Sequence, residues 1–222
     1  MAKYTLIDFP SEDKFIKHAV ADFKALSTEA IAQRNRFNVA LSGGNTPKGL
    51  YEALANAEIN WNKIHIYMGD ERYVDVTHPD SNYGMFKRTL LSKIKIQEGN
   101  IHPIETHFLD PHESARQYEE ELGNITLDLV YLGIGADGHT ASLFPGSLIP
   151  TTQQVAAFFV AKLGNYRISL LPDLINTARE IRFLVSGTSK KPILDHILQE
   201  GEPAIKYPCQ HIKGCEILAY GL

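Results

Sequence analysis

Residues 37–57 read FNVALSGGNTPKGLYEALANA, and this stretch decides the fold. Residues 37–41 are a short apolar run with the length of a buried strand. Ser42-Gly43-Gly44-Asn45-Thr46-Pro47 follows, with two glycines that permit positive φ and close backbone approach. Pro47 suits a first helical turn, where its missing N–H costs nothing, and a helix is expected to about Ala57. The alternation of strand, glycine turn and helix continues on both sides.

Before it, residues 3–9 read as a strand and Ser11 as the N-cap of a long helix with Phe15, Ala19, Phe23, Leu26 and Ala30 on one face. After it come a strand at 63–68, a helix from about Ser81 to Lys93, a strand near 101–104, a helix over 112–122 and a strand at 127–132. The remainder predicts strands at 155–161 and 166–171, a helix over 172–179, a strand at 181–186, a helix over 189–199 and a strand at 215–220. Strands separated by helices imply parallel βαβ units with right-handed crossovers. The expected fold class is α/β, a doubly wound, mostly parallel sheet with helices on both faces. No linker, composition shift or repeat divides the chain, so residues 1–222 read as one domain.

Composition excludes several functions. The chain has 222 residues, 44% hydrophobic and 22% charged, which is ordinary for a globular protein. Its net charge of −4 argues against a nucleic-acid partner. No apolar run approaches the roughly 20 residues of a membrane span, and residues 1–8 show no signal-peptide core. Cys209 and Cys215 match no zinc spacing and read as packing residues of a reducing compartment, so a cytoplasmic location is expected.

Ligands of such folds bind beyond the carboxyl ends of the strands. Loop 42–47 places helix N-terminal amides there, which attract phosphate or an oxyanion. It lacks the Gly-Lys-Ser/Thr of a nucleotide-binding P-loop. Loop 69–82, GDERYVDVTHPDSN, opens with Asp70, Glu71 and Arg72; Arg72 can fork onto a phosphate while Asp70 or Glu71 holds it or binds sugar hydroxyls. Asp80-Ser81-Asn82 is a helix N-cap signal.

The third loop, Gly133-Ile134-Gly135-Ala136-Asp137-Gly138, matches G-x-G-x-x-G. However, no acidic residue occurs from 138 to 172, and Pro145 falls where the dinucleotide-binding helix should run. What remains is Asp137-Gly138-His139-Thr140, where His139 is suited to act as a general base. A histidine base implies an acidic limb in kcat/KM near pH 6–7, because histidine titrates at about 6.5. Lys162 and Arg167 make the acid-free stretch locally cationic, which suits an anionic substrate. His102, His107 and His112 read as surface residues, and no G-x-S-x-G elbow is present.

These loops resemble those of the 6-phosphogluconolactonase family. The matching segments are Ser42-Gly43-Gly44-Asn45-Thr46-Pro47, Asp70-Glu71-Arg72 with His78-Pro79-Asp80-Ser81-Asn82, residues 132–145 (LGIGADGHTASLFP), Arg167-Ile168-Ser169-Leu170 and Val185-Ser186-Gly187-Thr188-Ser189-Lys190. Glucosamine-6-phosphate deaminases share a Gly-x-Asp-Gly-His segment but continue Ile-Ala-Phe-Asn-Glu-Pro, whereas this chain has Thr140-Ala141-Ser142-Leu143-Phe144-Pro145. Asn45 stands where serine is common, Asp75 replaces a frequent proline, and the chain ends without the family's frequent Trp and Asp-Ala-Ala, which bears on the C-terminal cover of the site.

The resemblance implies a NagB/RpiA-like fold and hydrolysis of 6-phospho-D-glucono-1,5-lactone to 6-phosphogluconate in the oxidative pentose phosphate pathway. It implies His139 as the catalytic base and Asp137 or Asp70 as the group orienting it or the sugar hydroxyls. Gly43 and Gly44 amides would polarise the carbonyl or contact the phosphate. Arg72, Arg167 and Lys190 would grip the phosphate, with Ser42 and Thr46 as hydroxyl donors. The resemblance implies neither a metal nor an organic cofactor, since an ester-type bond yields to acid–base catalysis alone. The partner is then a small sugar phosphate, with no nucleic acid or membrane, and the protein a monomer or small homo-oligomer. The alternatives are a deaminase-like aldose/ketose enzyme and a non-enzymatic sugar-phosphate-sensing module. The sensor reading would usually bring an added DNA-binding segment, whereas this chain begins with the first strand.

Overall fold

Strands that are apolar on both faces need a layer on each side, and this chain supplies several. A computed structural model describes residues 4–199 and 205–222; Lys3, the start of the predicted first strand, lies outside the described residues, as do 1–2 and 200–204. The chain runs β1 (Tyr4–Phe9), α1 (Glu12–Arg34), β2 (Phe37–Leu41), α2 (Asn45–Ala55), β3 (Ile64–Met68), β4 (Asp70–Arg72), α3 (Asn82–Thr89), β5 (Ile101–His102), α4 (Pro111–Leu122) and β6 (Leu129–Leu132). It continues with β7 (Val155–Val160), β8 (Asn165–Leu170), α5 (Pro172–Ile175), β9 (Glu180–Ser186), α6 (Lys191–Ile197) and β10 (Cys215–Tyr220).

Seven strands form one sheet in the order β1-β10-β9-β6-β2-β3-β5, and every pairing is parallel. β2, β3, β6, β9 and β10 are buried along most of their length, the burial expected of a covered parallel sheet. From β2 the chain moves through β3 to β5 in one direction, and β6, β9 and β10 lie in the other. The order therefore reverses between β2 and β6, which makes a crevice at their carboxyl ends.

The first helix follows its sequence signals. Ser11 caps α1 by accepting from the Lys14 amide, and Asn35 ends it in the left-handed region at φ 58°. Phe15, Ala19, Phe23 and Ala30 are buried; Leu26 is half-buried, and Ser27 takes the buried place beside it. Cys209 and Cys215 are both buried in the core. No helix among the described residues is long and apolar enough to cross a membrane.

Three expectations are corrected. The predicted strands 155–161 and 166–171 do not continue the parallel series. They form an antiparallel hairpin, Val155 opposite Leu170 through Val160 opposite Asn165, in a separate three-stranded sheet ordered β4-β8-β7. The turn between them reverses at Gly164, φ 61°, and is too short for the crossover a parallel pair requires. The loop expected from residue 69 also contains a strand, because Asp70–Arg72 pairs with Arg167–Ser169. Asp-Glu-Arg carries little intrinsic strand signal, and tertiary pairing overrides it. The helix expected over 172–179 shortens to Pro172–Ile175.

Candidate functional site

Loops after β2, β3, β6 and β9 converge on an open cavity of about 350 Å³ at the crevice. It is lined by Ser42, Gly43, Gly44 and Thr46 from the first loop, Asp70 and Arg72 from β4, His139, and Lys190 after β9. Leu184, Val185 and Ser186 form part of its wall.

The first loop is shaped by close approach. A side chain on Gly43 would place its Cβ 1.8 Å from Asn82 Oδ1. Gly44 is the N-cap of α2 at φ 112°, with no side-chain cap, so first-turn amides remain for a ligand. Ser42 N and O both bond the buried Tyr51 hydroxyl, at 3.1 and 2.8 Å, which fixes the backbone. Ser42 Oγ is buried beside the cavity with no protein partner among the described residues. Thr46 Oγ1 lies 2.7 Å from Ser186 Oγ.

The acidic loop is a frame built on Glu71. Its carboxylate accepts the backbone N–H groups of Arg72, Asn82 and Tyr83 and the Ser81 hydroxyl, at 2.6–3.1 Å. Burial pushes the Glu71 carboxyl up, and Asp70 adds to the rise, against the opposing pull of those backbone hydrogen bonds. Ser81 is the N-cap of α3, as its sequence signal indicated. Asp70 accepts from Asn82 Nδ2 at 3.1 Å and from Ser142 Oγ at 2.7 Å. Among the described residues neither carboxylate hydrogen-bonds the Arg72 guanidinium, one of the two roles expected of Asp70 or Glu71. That group instead donates through Nη1 to the Asp80 carbonyl at 2.6 Å.

Arg167 stands directly opposite Arg72 across β4 and β8, outside the cavity lining. Burial and then the Arg72 charge push the Arg167 guanidinium below its usual value, and the buried Nε atoms of both arginines have no partner among the described residues. Two adjacent guanidiniums with buried, unused donors mark a place where an anion is favoured.

His139 presents one nitrogen and spends the other. Its Nδ1 lies 2.5 Å from Asp137 Oδ1, and its ring stacks on Phe144 with centroids 4.6 Å apart. Burial alone would raise the Asp137 carboxyl, but hydrogen bonds from Lys162 and His139 outweigh it and hold the group well below the usual carboxylate range. An ionised Asp137 accepts Nδ1–H, so the neutral ring carries its lone pair on Nε2. Asp137 itself does not line the cavity.

The loop that presents the pair is pinned. Gly135 N donates to His139 O at 2.8 Å, and Cys209 N donates to Gly138 O at 3.0 Å. Gly138, at φ 77°, packs so tightly on Tyr207 that any Cβ would come within 2.6 Å. The turn at 207–212 thus packs against the loop that presents His139.

The structure gathers every expected site residue in this region, with Asp137 behind His139 and Arg167 behind Arg72. Sequence reasoning missed the roles of Asn82, Ser142, Tyr207 and Glu71, because apart from Glu71 with the adjacent Arg72 amide their contacts in the site span 10 to 72 positions and leave no local pattern. His102 is corrected: it is half-buried, stacked on Tyr67 and bonded to His65 and Glu121, while His107 and His112 are exposed.

Residues 10–219 match the family model described as glucosamine-6-phosphate isomerases/6-phosphogluconolactonase. The 6-phosphogluconolactonase of Synechocystis sp. is 42% identical over 207 residues, covering 89% of this chain and 86% of that protein. That of Haemophilus influenzae is 36% identical, with 93% and 91% covered. The crystal structure of the Thermotoga maritima 6-phosphogluconolactonase superposes with a TM-score of 0.89 at 27% identity, covering 99% of this chain and all of that one. A monomeric glucosamine-6-phosphate deaminase, 17% identical, shares the fold with a TM-score of 0.86 over 97% of each chain.

Proposed function

Because the chain belongs to the glucosamine-6-phosphate isomerase/6-phosphogluconolactonase family, its site can be read for one reaction, and we propose that His139 is the general base of lactone hydrolysis. The chain is an enzyme of the 6-phosphogluconolactonase type, a hydrolase of sugar-phosphate metabolism. Its substrate is 6-phospho-D-glucono-1,5-lactone and its product 6-phosphogluconate.

His139 Nε2 takes a proton from water, and the resulting hydroxide attacks the C1 carbonyl. The oxyanion that develops is met by the amides of Gly43, Gly44 and the first turn of α2. As the tetrahedral intermediate collapses, the ring C1–O bond breaks and His139 returns the proton to the leaving ring oxygen. Asp137 keeps the imidazole oriented and stabilises its charged form. Arg72, Arg167 and Lys190 compensate the phosphate, with Ser42 and Thr46 as hydroxyl donors to it, and Asp70 meets sugar hydroxyl groups. The enzyme works in the cytoplasm on this small substrate, without nucleic acid, as a monomer or small homo-oligomer.

The observation that carries this reading is the Asp137–His139 pair, with His139 lining a cavity that it shares with Arg72, Lys190 and the Gly43–Gly44 turn. A pH-stat assay on freshly generated lactone, corrected for spontaneous hydrolysis, tests it. Acid release well above background is expected, with no ammonia from glucosamine 6-phosphate. Ammonia release without lactone hydrolysis would place the chain with the deaminases instead.

A further inference from the structure

The β7–β8 hairpin lies in the smaller sheet, yet its turn reaches the catalytic pair. Lys162 occupies the short 3-10 turn Ala161–Leu163 that joins the two strands. Its Nζ donates to Asp137 Oδ2 at 2.5 Å and sits 4.6 Å from the centroid of Phe144. His139 stacks on that same ring and binds the other carboxylate oxygen, Oδ1. Lys162, Asp137, His139 and Phe144 therefore form a closed set. The carboxylate is bridged between a cation and the imidazole, and the aromatic ring contacts both.

A carboxylate held at one oxygen can pivot about its Cβ–Cγ bond. Held at both, it keeps Oδ1 aimed at Nδ1. The cation has a second effect. An uncompensated carboxylate beside an imidazole favours imidazolium, which cannot accept a proton from water. A lysine on the far oxygen offsets that charge while leaving the hydrogen bond in place. An exposed ion pair contributes little to stability, and Lys162 is 55% exposed. Its geometry therefore needs a reason other than holding the fold together.

We propose that Lys162 is a positioning residue for His139, fixing Asp137 and balancing its charge so that the base stays neutral and aligned at lower pH. The proposal rests on His139 being the base. The other charged groups around the cavity are Asp70 and Arg72 from β4, Lys190 after β9 and Arg167 behind Arg72. Tyr207 and Cys209 lie on the turn behind Gly138, with His196 against the Tyr207 ring at 5.1 Å and Lys206 Nζ 5.2 Å from its centroid. Of the charged groups near the pair, Lys162 hydrogen-bonds the Asp137 carboxylate at Oδ2, opposite the oxygen that His139 uses.

The test is a kcat/KM profile against pH for Lys162→Met, Lys162→Arg, Asp137→Asn and the Asp137→Asn/Lys162→Met double variant. Lys162→Met is expected to lose about tenfold in kcat, less than loss of the base itself, with KM within about twofold. Its acidic limb should move to higher pH by about 0.5–1 unit, the usual effect of one nearby, partly exposed charge. Lys162→Arg should restore both, and the methionine should cost nothing further in the Asp137→Asn background. A limb that stays put in Lys162→Met, or a KM rise without a limb shift, would overturn the proposal; the latter would make Lys162 a substrate contact. Should His139→Ala retain activity, the base reading itself fails, whatever Lys162 does.

Discussion

Arg167→Met separates what Arg167 does for the substrate from what it does for the fold. In the free enzyme it opposes Arg72 directly across an antiparallel pair, and both Nε atoms are buried without a partner among the described residues. Like charges in opposite positions destabilise a sheet by about 0.2–1 kcal/mol, and an unsatisfied buried donor costs about 1–3 kcal/mol. Methionine keeps the packing of the stem and removes both penalties. The free variant should be at least as stable as wild type, and about 1 kcal/mol of gain would raise Tm by about 2–4 °C at this size. The substrate loses a charge-assisted bond of about 1.5–3 kcal/mol, so KM should rise about 10- to 100-fold. That penalty depends on the phosphate. A non-phosphorylated gluconolactone should be a poor substrate of wild type and lose little further in the variant. The assay is kcat and KM for both lactones with thermal unfolding of both proteins. Equal losses on the two lactones, or a clear drop in Tm, would refute the clamp and make Arg167 structural.

Other perturbations test the frame around the site. Glu71→Ala strips three backbone N–H groups and the Ser81 hydroxyl of their acceptor, and urea unfolding should show a loss of about 3–5 kcal/mol; a loss below about 1 kcal/mol would mean that water replaces the carboxylate. Arg72→Lys should raise KM for the phosphorylated lactone, because an ammonium cannot reproduce a guanidinium fork; an unchanged KM would remove Arg72 from the clamp. Burial, then Arg36 and His102, push His65 down to about 4. Between pH 6.5 and 4 the unfolded chain therefore binds the extra proton, so stability present above pH 6.5 is lost as pH falls. Discounted for partial exposure, His65→Gln should lessen that loss by about 1–2 kcal/mol in urea titrations at pH 7 and 4.5; identical slopes would contradict it.

The legible part of this protein was local. Buried strands such as residues 37–41 and 64–68 announce themselves by continuous apolar character, and the glycine turns after them mark the carboxyl ends where ligands bind. His139 was legible because Asp137 and Gly138 stand beside it. The second sheet was not, since β4 is three charged residues and the antiparallel sense of β7 and β8 depends on a turn whose sequence, Ala161-Lys162-Leu163-Gly164, carries one weak signal at glycine. Lys162 illustrates the limit. Its charge was visible as part of a cationic stretch, but its partner is 25 positions away and is brought to it only by the folding of the hairpin.

The central claim is that His139 moves the proton in lactone hydrolysis, and kcat of His139→Ala on freshly generated 6-phosphogluconolactone tests it most directly. With spontaneous hydrolysis subtracted and the fold checked by thermal unfolding, kcat should fall about 10²–10⁴-fold while KM changes little. A variant that turns over within a few-fold of wild type would contradict the claim and leave the Asp137–His139 pair with a structural role only.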